Sequence, residues 1–123
     1  LQKDYLPREM VINYTDNQNT RRIKLDYDTL HLGDKEYTPV RGEWEEFWEK
    51  LEEIGIWDWE ENYKQCSMVE DYQWEITIIT NSINLYSVGC NNGPVRLVKN
   101  EFISSLEEFG DALEDLCGWR MDY

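Results

Sequence analysis

The chain predicts an α+β domain, an antiparallel sheet of two hairpins with two amphipathic helices packed on one face. Three observations lead to this class. The apolar pattern switches twice between period 2 and period 3.6. Clusters rich in Asn, Asp and Gly punctuate the runs. A length of 123 residues with six Trp, eight Tyr and three Phe supplies one core without staples. The expected organisation is a single domain, 1–123, in the order hairpin, helix, hairpin, helix.

Met10–Tyr14 is rich in β-formers and ends in the polar cluster 15–19. Arg21–Leu25 then alternates Ile23 and Leu25 with basic neighbours, so the two runs read as a hairpin. Leu30–Leu32 adds a short strand before Gly33-Asp34. Residues 43–54 change period: Trp44, Phe47, Trp48 and Leu51 form one helical stripe, extended by Ile54, and Gly55 stops the helix. Trp57 and Trp59 fit an extended segment or a short helix, and residues 65–72 a loop. Trp74–Ile79 and Ile83–Val88 flank Asn81-Ser82 and read as the second hairpin. Asn91–Pro94 is a turn. A helix is expected over 100–117, capped by Asn100, with Phe102, Leu106, Phe109, Leu113 and Leu116 as its seam and Gly118 as its stop.

The charge is unevenly placed. Residues 1–42 balance seven acids with seven bases. Residues 43–123 hold nineteen acids against five bases, which is the whole net charge of −14. Such a field argues against binding nucleic acid and for a basic protein partner. No apolar run approaches the roughly 20 residues of a membrane span. Cys66, Cys90 and Cys117 are odd in number and widely spaced, and His31 is the only histidine. Reduced thiols, a cytoplasmic address, no metal and no cofactor are therefore expected. The chain begins at Leu1 rather than Met, so the natural start is expected upstream.

Trp44, Phe47, Trp57, Trp59, Tyr63, Trp74, Gly89, Asn91 and Pro94 form a recognisable series. It resembles a group of small bacterial proteins with a Trp/Phe helix, Trp-x-Trp, a Tyr, a strand Trp and Gly-x-Asn-x-x-Pro before a last helix. The likeness runs from Trp44 to about Phe109. It departs where that group has Asp-Gly, since Glu70-Asp71 stands there. The resemblance implies a fold and hands down no activity.

The first candidate site is the acidic helices: Glu45, Glu49, Glu52 and Glu53 on the first, Glu107, Glu108, Asp111, Glu114 and Asp115 on the second. Along the first helix the acids fall about every 3 Å, close to the ~3.4 Å spacing of phosphates along a DNA strand. The plain alternative is a solvated face. Against it, Glu52, Glu53, Glu114 and Asp115 stand at helix C-termini, where the dipole disfavours anions by ~0.3–1 kcal/mol each. Glu45 and Glu49 also repel at i,i+4.

The second candidate is an aromatic ligand cleft built on Trp57, Trp59 and Trp74, with Trp44, Trp48 and Tyr63 nearby. The alternative there is a packed core. Trp119 and Tyr123, beyond the last helix, are interface candidates. Asp58, Asp71 and Glu75 lack the positioned His, Ser or Cys partner that catalysis needs. Asp26-Tyr-Asp28 opens a calcium-loop pattern, but Gly33 comes too late to complete it. Arg21, Arg22 and Lys24 read as a polar strand face, or as one paired with the acidic helices.

These features predict a non-enzymatic inhibitor that blocks a basic protein, as a toxin immunity protein or a nucleic-acid mimic does. The rival expectation is a small-molecule binding domain with an aromatic cleft. Exposed acids beside a closed aromatic core favour the first, and an open Trp-lined cleft the second.

Overall fold

The computed structural model describes residues 4–17, 19–64, 72–90 and 93–121. The N-terminal hairpin forms as the sequence predicts, from β1 (Glu9–Asp16) and β2 (Thr20–Asp26). Its turn is held by Asp16, whose N–H donates to the Asn19 carbonyl (2.9 Å) and whose carboxylate accepts from the Asn19 N–H (2.8 Å). Tyr27, with φ 58°, and Gly33, with φ 62°, fold the chain back twice more. The results are β3 (Thr29–Leu32) and β4 (Lys35–Tyr37).

Helix α1 spans Arg41–Glu53. The Glu43 carboxylate reaches back to the Val40 N–H (2.9 Å) and accepts the Tyr37 hydroxyl (2.9 Å), so the start of the helix is tied to β4. Gly55 takes the left-handed conformation (φ 71°) and ends the helix, as expected. Ile56–Asp58 forms a short 3-10 helix, followed by β5 (Asn62–Lys64). The second hairpin is β6 (Tyr72–Ile79) with β7 (Asn84–Cys90). The Thr80 hydroxyl bonds the Ile83 carbonyl (2.7 Å) and N–H (2.9 Å) to close it.

The expected sheet of two hairpins is too small. Among the described residues the hairpins join into one seven-stranded sheet, ordered β4-β3-β2-β1-β6-β7-β5. β1 and β6 pair antiparallel in the middle, and β5 runs parallel to β7. β4 and β5 have three residues each, too few to display a period.

The last expected helix is shorter than 100–117. Its first residues form a separate ribbon, β8 (Val95–Val98) with β9 (Glu101–Ser104), and α2 covers Ser105–Cys117. Lys99 (φ 51°) and Asn100 (φ 67°) make the ribbon's two-residue turn, so Asn100 does not cap a helix. Ser104 is the cap, its hydroxyl accepting from the Glu107 N–H at 3.2 Å. Phe102 leaves the expected seam and is 77% exposed. Gly118 (φ 84°) stops α2, as expected.

Cross-strand partners share a sheet face. Met10 pairs with Ile78, Ile12 with Ile76 and Ile23, Leu25 with Leu30, and Ile78 with Leu85. These residues are buried, and they meet Trp44, Phe47 and Leu51 of α1 and Phe109, Leu113 and Leu116 of α2 in one core cluster. Both helices therefore cover the same face. The Trp44 Nε1–H is fully buried with no acceptor among the described residues. It costs ~1–3 kcal/mol, which is offset by ring packing on Phe47 and Trp48.

The expectation of three reduced thiols fails at Cys90, which is disulfide-bonded. Cys66 lies outside the described residues. Cys117 is free and buried, its Sγ–H donating to the Leu113 carbonyl at 3.3 Å. Burial pushes this thiol up from 9.0 to about 11, because the thiolate would lose its solvent.

Phe109→Ala removes a fully buried ring and should cost ~3–5 kcal/mol in urea unfolding. Phe102→Ala should stay within ~0.5 kcal/mol of wild type. Iodoacetamide at neutral pH should leave native Cys117 unlabelled. After denaturation without reductant, peptide mapping should find Cys117 alkylated and Cys90 protected. In the folded state Cys117 keeps its proton beyond pH 9.0. Its contribution to stability should thus be complete below that pH and fall away as pH rises through about 11.

Candidate functional site: the outer face of the first helix

With about 100° per residue, Glu45, Glu46, Glu49, Glu52 and Glu53 occupy one sector of α1, opposite Trp44, Phe47 and Leu51. All five acids are exposed. Asp58, Glu60 and Glu61, just beyond the helix, are exposed as well.

The two acidic helices are not equivalent. On α2, Glu108 receives both Nε (2.7 Å) and Nη2 (2.6 Å) of Arg96 in a half-buried bidentate pair. Arg120 bridges Asp111 and Glu114, and Lys50 of α1 bonds Asp115. Of the five α2 candidates, Glu107 alone has no cation partner among the described residues. The last-turn acids that sequence marks as costly on α2, Glu114 and Asp115, are thus compensated by Arg120 and Lys50.

On α1 the compensation is thin. Arg41 reaches Glu45 at 3.4 Å, in an exposed pair of little energetic weight. Glu52 accepts the Trp57 indole N–H at 3.1 Å. Glu49 and Glu53 have no ion-pair partner among the described residues. The α1 row is where negative charge is least compensated by contact ion pairs among the described residues.

Among the described residues the tryptophans pack closely on one another and on the core. Trp74 is 2% exposed and Trp44 is fully buried. Trp59 packs on Trp74 (6.1 Å between ring centroids) and on Phe109 (6.3 Å). Trp57 and Trp48 stack at 6.3 Å and are half-buried. The Trp48 indole donates to the Tyr5 carbonyl (2.7 Å). Because Trp57 bonds Glu52, this aromatic shelf borders the acidic row. Two candidates that the sequence keeps apart meet on one surface, and the contact depends on Gly55 turning the chain back after α1.

The remaining candidates fall elsewhere. Glu75 lies on the sheet face away from the helices and accepts Asn13 Nδ2 (3.0 Å) and the Tyr86 hydroxyl (2.9 Å), which raises the Tyr86 pKa. Asp71 and Tyr123 are outside the described residues. Trp119 packs half-buried against the core rather than projecting as an interface residue. Arg21 donates to the Arg120 carbonyl (2.7 Å), and with Arg22 and Lys35 it lines a cleft of about 500 Å³ beside Met121. Among the described residues no group of three His, Cys, Asp or Glu could hold a metal ion, and no helix is long and apolar enough to cross a membrane.

No protein-family model matches this chain, and a search of curated proteins also finds no match.

A double-mutant cycle of Arg96→Ala with Glu108→Gln should give a coupling of about 1 kcal/mol in urea unfolding, as befits a half-buried bidentate pair. A coupling indistinguishable from zero would mean that α2 is as uncompensated as α1.

Proposed function

We propose that this chain is a non-enzymatic binding protein that blocks a basic protein through the outer face of α1. One observation carries the reading: among the described residues Glu49 and Glu53 stand exposed without a contact ion pair, on the same sector as Glu45 and Glu52, while most α2 acids are paired. The row of carboxylates would enter a cleft that the partner uses for phosphates, and long-range attraction would speed the encounter. The Trp48–Trp57 shelf beside it supplies the aromatic surface that interfaces favour. The closed packing of Trp59 and Trp74 supports this reading over a small-molecule cleft.

The most concrete forms remain an immunity protein for a nuclease-type toxin and an inhibitor that mimics nucleic acid. The resemblance to bacterial proteins agrees with either. The cytoplasmic address rested on reduced thiols. A disulfide at Cys90 supports an oxidising compartment instead.

Affinity capture from the native host should return a basic protein. Its association rate, followed by stopped flow, should fall at least about tenfold between low and high salt. Reversing Glu45, Glu49, Glu52 and Glu53 to Lys should slow association more than reversing Glu107 alone. A rate flat in salt and unchanged by the α1 reversals would leave the row as a solvated surface.

A further inference from the structure

We propose that the β8–β9 ribbon is the apolar anchor of this interface, seating Leu97 and Phe102 in an apolar pocket of the basic partner. The proposal rests on the reading of α1 given above and adds a second contact to it. The register pairs Leu97 with Phe102 and Val95 with Ser104, which puts Val95, Leu97 and Phe102 on one ribbon face. They are 60%, 59% and 77% exposed. A free two-stranded ribbon is marginal in water, and a bare row of large apolar side chains on it brings no stability to the fold. Such a row marks a surface that is covered in use.

The opposite ribbon face is committed. Arg96 on that face bonds Glu108 and feels the field of Glu53. This roots the ribbon at the C-terminal end of the α1 acidic row and leaves Val95, Leu97 and Phe102 exposed. Glu107, exposed and without a cation partner among the described residues, binds the ribbon's last residue through its backbone N–H at 3.2 Å. Glu101 and Glu107 are thus exposed on either side of the apolar strip, with Lys99 as the one base of the ribbon's turn. Charge selects the occupant: with −14 on each chain, a second copy is repelled, whereas a basic surface with an apolar pocket is complementary on both counts.

The test uses two synthetic peptides with the full chain. One carries lysines on one helical face and leucines on the other; its control has serine in place of leucine. Binding is followed by fluorescence of the labelled peptide, and urea unfolding verifies that each variant is folded. Wild type should bind the Lys/Leu peptide more tightly than the Lys/Ser peptide. Leu97→Ser with Phe102→Ser should weaken the Lys/Leu peptide about tenfold, the scale of losing an interface anchor, and leave Lys/Ser binding unchanged. Leu97→Thr with Phe102→Thr, which keeps strand-forming residues, replaces that variant if serine loosens the ribbon.

The Glu45, Glu49, Glu52 and Glu53 reversals should weaken both peptides. Ribbon variants that bind the Lys/Leu peptide like wild type, while the reversals still lose both, would overturn the anchor and leave the α1 reading standing. Wild type that binds neither peptide would overturn both. Sedimentation showing a wild-type dimer that the ribbon variants abolish would make a second copy the occupant and refute the basic partner there.

Discussion

The pairing of β1 with β6 is the constraint on which the rest of this structure depends. These strands lie about 60 residues apart in the chain, yet they meet in the middle of the sheet with Met10 against Ile78, Ile12 against Ile76 and Tyr14 against Trp74. The register puts Met10, Ile12, Tyr14, Trp74, Ile76 and Ile78 on the face that receives the helices, and leaves Val11 and Ile79 on the other. A slip of one residue would turn that row to water and present Asn13 and Glu75 to α1 and α2. Both hairpins are local, and either could form in outline alone. Only their union makes an apolar platform wide enough to seat two helices.

The platform also decides the electrostatics. Once Phe47 and Phe109 meet over the sheet, α1 and α2 lie side by side and Lys50 falls against Asp115. The chain after α2 brings Arg120 back to Asp111 and Glu114, and the ribbon before it brings Arg96 to Glu108. The few bases of the acidic region are thereby spent largely on α2. In the outer sector of α1 the ion pair within contact distance is Arg41–Glu45, while Lys50 and Arg96 reach Glu46 and Glu53 only through their fields. A sequence with uniformly acidic helices becomes a fold with one compensated helix and one uncompensated face.

Much of this was legible beforehand. The α1 stripe repeats over three turns, and its stop is a glycine in the left-handed region, so the helix could be placed nearly to the residue. β6 and β7 were visible from their β-formers. The last helix was misread at its start because Phe102 stands four residues before Leu106, a helical spacing that a strand can share by chance, and because Asn100 suits a cap and a left-handed turn equally. Local pattern cannot separate these, whereas the Lys99-Asn100 turn and the pairing of Leu97 with Phe102 can. β4 and β5 were too short to read. The disulfide at Cys90 left no trace in the cysteine spacing. For the site, the acidic sector of α1 followed from periodicity alone. The pairing of α2 depends on Arg96, Lys50 and Arg120 arriving from three separate segments, and no local pattern reports that.

The acids of the two helices thus differ in what they do for the fold. Glu53 stands in the last turn of α1, where the helix dipole disfavours it, and neither it nor Glu49 has a contact ion pair among the described residues. Asp111 and Asp115 each have one. Urea unfolding at low salt of two variants, Glu49→Gln with Glu53→Gln and Asp111→Asn with Asp115→Asn, tests the distinction directly. The first should be more stable than wild type, by up to about 1 kcal/mol at each position, and the second less stable. If the α1 variant loses stability, or if the two variants shift alike, the acids of α1 belong to the fold and the claim that they are held for a partner fails.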